Sequence, residues 1–119
     1  MQRQRKSPRF LVGPNFPLTA HIPQSSSKIH KLRTIGTNGV GFYASNRDAK
    51  LLQSGEVDIH LTLGGAKIQL KGKIQYCQFL PKSAVNFLGV EFLDCDQRTN
   101  LIIKTLLEGA LQKGHLIIT

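Results

Sequence analysis

A chain of 119 residues, 40% of them apolar, can close one modest core and little else. Its apolar residues nowhere approach the ~18 in a row that a membrane span needs, and Phe10-Leu11-Val12 behind the first arginines is cut by Gly13-Pro14, too short for a secretory signal. The net charge of +9 is lopsided, with eight basic residues and no acid in residues 1–47 against eight basic residues and seven acids in residues 48–119, which fits an anionic partner such as a nucleotide, a nucleic acid or a membrane surface.

Met1 reads as a start site, and residues 1–16 as a flexible basic arm, because Pro8, Gly13, Pro14 and the following Pro17 forbid a stable helix. From residue 17 onward the pattern is that of one β domain. Leu18–Ile22 alternates apolar and polar, Pro23–Ser27 turns, and Lys28–Ile35 alternates again with one apolar and one basic face. The cluster Gly36-Thr37-Asn38-Gly39 breaks that strand, since glycine and asparagine accept backbone angles other residues resist. Val40–Ala44 is the next strand, and Asn46–Gly55 a connection with room for one helical turn. Glu56–Leu63 puts Val57, Ile59, Leu61 and Leu63 on one face, and Gly64-Gly65 makes a hairpin into Ala66–Phe79. There Ile68, Leu70, Ile74 and Tyr76 are expected to face inward and Gly72 to mark a bulge or a bend at a barrel corner.

Pro81-Lys82-Ser83 turns the chain into the last strong strand, Val85–Leu93. Asp94 or Asp96 caps a helix from about Gln97 to Gln112, whose stripe of Ile102, Ile103, Leu106, Leu107 and Ala110 is suited to closing one end of a barrel. Gly114 ends that helix. The apolar tail His115–Thr119 reads either as an edge strand or as a contact with another chain, and the oligomeric state stays open. The order of arm, six antiparallel strands and one C-terminal helix predicts a mainly β domain, a six-stranded antiparallel β-barrel.

Chemistry-bearing residues are sparse. Cys77 and Cys95 form no CxxC pair and read as buried or half-buried reduced thiols, and His21, His30, His60 and His115 lie too far apart for a local metal site. The seven acids show no general acid/base spacing, no nucleophile motif frames a serine, and no phosphate-binding loop appears, so the chain reads as a binding module, not an enzyme, with no cofactor. Its few aromatic residues sit at core-like positions, which argues against a stacking platform for nucleic acid.

Two features combine. Arg5-Lys6-Ser7-Pro8-Arg9 is an RxxxR pattern in the arm, and Arg33-Thr34-Ile35-Gly36-Thr37-Asn38-Gly39-Val40-Gly41-Phe42 is a strand–turn–strand junction. With Phe87-Leu88-Gly89-Val90-Glu91-Phe92 leading into a helix, the chain resembles the PilZ family over nearly its whole length. That resemblance implies a split barrel in a cytoplasmic bacterial protein and cyclic di-GMP as ligand. The family typically carries (D/N)xSxxG at the turn, where this chain has Thr34, Gly36 and Gly39.

The resemblance assigns ligand contacts to Arg5, Arg9, Thr34, Gly36, Thr37, Asn38 and Gly39, with Arg33 beside them. A guanidinium forks onto guanine O6 and N7. Thr34 offers one neutral hydroxyl where an acid would take the guanine N1 and N2 hydrogens. Gly36 offers only its backbone N–H, Thr37 or Asn38 a replacement side-chain donor, and Gly39 a positive φ for the turn. Two roles are implied: a receptor whose arm folds onto the barrel around cyclic di-GMP and signals to a protein partner, or an adaptor that binds a protein partner without nucleotide.

Overall fold

The computed structural model describes residues 9–118 apart from 28, 54, 64, 65 and 94. Among the described residues nine strands and two helices follow one another: β1 Phe10–Val12, β2 Leu18–His21, β3 Ile29–His30, β4 Leu32–Ile35, β5 Gly39–Ala44, α1 Asn46–Leu52, β6 Glu56–Leu63, β7 Ala66–Leu80, β8 Val85–Leu93, α2 Gln97–Gln112 and β9 Leu116–Ile118. All the strand pairs are antiparallel, in the order β3-β2-β6-β7-β8-β5-β4-β1-β9. All six expected strands are present, and the expected mainly β class with a C-terminal helix holds. The count rises because Lys28–Ile35 divides at Lys31 and two short strands join at the edge. The division closes the barrel: β3 pairs with β2 at one end of the sheet and β4 with β5 near the other, so adjacent residues of one segment curl the sheet round.

Period-two alternation fills the interior. Val57, Ile59 and Leu61 of β6 face Val40 and Phe42 of β5 and Leu88 and Val90 of β8 in one buried cluster. Helix α2 seals one end of the barrel with Ile103, Leu106 and Leu107 against Phe16, Leu18, Ile35 and Leu61; Ile102, expected in that stripe, turns outward and is exposed. The Asp96 side chain caps the helix by accepting from Thr99 N–H at 2.7 Å, and Gly114 ends it in the left-handed region at φ +75°. Among the described residues no helix is long and apolar enough to cross a membrane.

Five expectations need correction. The arm does not run free to residue 16: Phe10–Val12 is a strand held between β4 and β9, and Phe10 and Phe16 are buried, so apolar anchors begin at residue 10. The tail supplies that outer neighbour, docking as β9. The connection after β5 is a seven-residue helix, α1, capped by Ser45. Cys77 is exposed, not buried. In β7 the irregularity falls between Ile74 and Tyr76, not at Gly72. Gly72 keeps regular pairing and makes room for Val90, whose Cγ1 would lie 2.4 Å from a β-carbon there. The extra residue, Gln75, reverses the alternation and sends Tyr76 outward, 42% exposed.

One buried acid ties the far side together. Asp48 of α1 accepts from the Ser26 N–H at 2.8 Å, the Ser26 hydroxyl and the Ser27 N–H at 3.1 Å. Burial alone would raise its carboxyl, but these donors hold it at about 2.

Candidate ligand-binding face

Strand β5 carries glycine at alternate positions 39 and 41, so it sends no side chain of its own to the outer face there, and both glycines are buried under their neighbours. Gly41 stands opposite Gly89 of β8 and Thr34 of β4. A β-carbon on Gly41 would meet the Phe87 ring and the Thr34 Oγ1, each at 2.5 Å, and one on Gly89 would strike the Tyr76 ring at 2.2 Å. The missing side chains are thus replaced by neighbouring rings and a hydroxyl laid across the floor.

The rim is polar and cationic. A β-carbon on Gly39 would lie 2.7 Å from Nη2 of Arg9, so that guanidinium rests on the glycine. Arg33, exposed on β4, donates from Nη1 to the Tyr43 hydroxyl at 2.8 Å, and its guanidinium lies 5.9 Å from the centre of the Phe87 ring. Tyr43 and Tyr76 flank Phe87 with ring centres 5.7 and 5.9 Å away. Glu91 of β8, directly opposite Gly39, accepts from Gln75 Nε2 at 2.9 Å, and Lys73 of β7 pairs with Glu91 from the far side.

The structure brings Arg9, Arg33, Thr34 and Gly39 together around this floor. Arg5 lies outside the described residues. Gly36, Thr37 and Asn38 form the turn that joins β4 to β5. The Gly36 N–H donates to the Gly39 carbonyl at 2.9 Å, and the Asn38 carbonyl accepts from Phe92 N–H at 2.7 Å. The Gly36 N–H is therefore engaged in closing the turn.

The expected reason for Gly39 is corrected. Among the described residues only Gly55, Ala84 and Gly114 have positive φ. Gly39 is needed for close approach instead, because a β-carbon would fall 2.1 Å from the Val90 carbonyl oxygen. Reading the sequence residue by residue missed Gly41, Gly89, Tyr76, Phe87 and Glu91. The glycine pair spaced by two in β5 was the available signal, since alternate residues of a strand share a face. Among the described residues no group of three or more His, Cys, Asp or Glu side chains gathers as a metal site.

The model of the PilZ domain family matches residues 3–109. In fold the chain is similar to the cyclic di-GMP complex of MrkH from K. pneumonia, with TM-score 0.79 and 12% identity over 96% of this chain and 55% of that one. It is similar to the inhibitor of motility MotI/DgrA of Bacillus subtilis, with TM-score 0.70 and 14% identity over 94% of this chain and 54% of that one. It is also similar to the PilZ domain of YcgR from Escherichia coli with cyclic di-GMP, with TM-score 0.66 and 16% identity over 94% and 98% of the two chains. The chain spans just over half the length of the MrkH and MotI chains. No curated protein matches it in sequence.

Proposed function

The chain belongs to the PilZ domain family, matched over residues 3–109, and on that premise we propose that it is a cytoplasmic receptor module that binds cyclic di-GMP between Arg5, Arg9 and the outer face of β5. The observation that carries this reading is the Arg9 guanidinium resting on Gly39, on the face that also holds Thr34 and Gly41. A planar fork at the edge of this face can give two parallel hydrogen bonds to guanine O6 and N7 while its charge faces a phosphate. Among the structures of similar fold, those of MrkH and of the YcgR PilZ domain contain cyclic di-GMP.

Arg9 directly precedes β1, and β1 holds β9 against the sheet. Ligand that neutralises Arg9 and draws residues 1–8 over the glycine floor changes the surface beside this edge, which a partner protein then reads. Calorimetry with cyclic di-GMP on the wild type and on the Arg5→Ala and Arg9→Ala variants tests the clamp. The expected result is binding by the wild type and at least tenfold loss in each variant; binding that neither substitution weakens rules the clamp out.

The second reading, an adaptor that binds a protein partner without nucleotide, is favoured by the turn itself. Thr34 is uncharged, Gly36 has no side chain, and the Gly36 N–H is bonded to Gly39. Absence of any amide shift change on adding cyclic di-GMP selects it.

A further inference from the structure

Resting on the cyclic di-GMP reading, we propose that Glu91 supplies the carboxylate that reads a guanine edge, in place of the acid the 34–39 turn lacks, and that the Tyr76 ring is the surface on which that base stacks. The register makes the case. Gly39 pairs with Glu91 and Gly41 with Gly89, so Glu91 stands on the next strand directly across from the glycine under Arg9. Opposite residues on one face of an antiparallel pair are about 5 Å apart at the β-carbon. A base lying over this floor meets a guanidinium on one side and a carboxylate on the other.

Guanine matches that pair. Its O6 and N7 accept from Arg9, and its N1–H and exocyclic N2–H donate side by side, as the two oxygens of a carboxylate require. One feature of β7 arranges the rest. The irregularity at Gln75 turns Tyr76 outward onto Gly89, and the side chain of the same Gln75 donates to Glu91 Oε2 at 2.9 Å. The extra residue thus presents the ring and orients the acid. Half-exposed Tyr76, backed by Phe87, offers a face to a base.

The test is calorimetric titration of the full chain with cyclic di-GMP and with cyclic di-IMP, whose bases lack the 2-amino group. The wild type should prefer cyclic di-GMP. Glu91→Gln, which keeps the size and the contact to Gln75, should lose roughly tenfold for cyclic di-GMP and less for cyclic di-IMP, a difference that reports contact with the 2-amino group. Tyr76→Leu, which still covers Gly89, should weaken both ligands alike. Glu108→Gln on the outer side of α2 should change neither. Unaltered binding by Glu91→Gln, or equal loss for the two ligands, overturns the role of Glu91 while leaving the receptor reading intact. Wild-type protein that binds neither ligand overturns both.

Discussion

Nη2 of Arg9 lies against Gly39 with room for no side chain between them: a β-carbon on that glycine would stand 2.7 Å from the nitrogen. The same β-carbon would stand 2.1 Å from the Val90 carbonyl oxygen, which belongs to the backbone of β8 and cannot swing aside. Gly39 therefore sets both the packing of β5 on β8 and the seat of the arginine.

Gly39→Ala is expected to destabilise the fold by roughly 2–3 kcal/mol, at the upper end of ordinary overpacking, because the obstructing atom is main chain. Urea unfolding of the variant beside the wild type measures this. A loss below about 0.5 kcal/mol would show that β5 and β8 separate with ease and that the close approach is not required.

Much of this architecture was legible in the sequence, and what was not has a physical cause. The ends of strand β6 are legible because four apolar residues alternate over a clean run. Helix α2 was equally plain, with an aspartate and a glycine at its ends. Strand β1 is illegible because three residues between prolines carry no periodicity; they become a strand through pairing with β4 on one side and, on the other, with β9 more than a hundred residues later. The irregularity at Gln75 is invisible to alternation, since Ile74 and Tyr76 look like one face until the register with β8 is known. At the site, the arginine and the turn could be named from motifs, whereas Glu91 and Tyr76 belong to strands distant in sequence and join the face only through pairing.

Thr34→Asp should tighten cyclic di-GMP binding by about tenfold, equivalent to ~1.4 kcal/mol. Thr34 faces Gly41 with its Oγ1 against that glycine, so a carboxylate there offers the second guanine of the ligand, the one Glu91 does not read, an acceptor for its N–H groups without moving the strand. Calorimetry on the variant checks this, and weaker binding than wild type would place the guanine edge elsewhere on the face.

Asp48 should give the fold an acid-sensitive step. Its carboxyl is held at about 2, against 3.8 for an ordinary aspartate. A lowered folded-state value contributes stability that is fully present above the ordinary value and is lost as pH falls from there through the folded value. The window is therefore pH 4 down to 2, and the contribution about 2 kcal/mol. Chemical unfolding across that window should show the decline in wild type and a shallower one in Asp48→Asn, which should also be the less stable protein at pH 7. An identical pH slope in the two proteins would show that Asp48 is not the group responsible.

The central claim is that cyclic di-GMP seats on the outer face of β5 and β8 beside Arg9, and amide shift mapping of isotope-labelled chain during titration tests it most directly. The account predicts the largest movements at Gly39, Gly41, Gly89 and Thr34, with Asp48 and the buried face of α2 unmoved. Shifts confined to α2 or to the β2–β6 side, or no shift at saturating ligand, would contradict it.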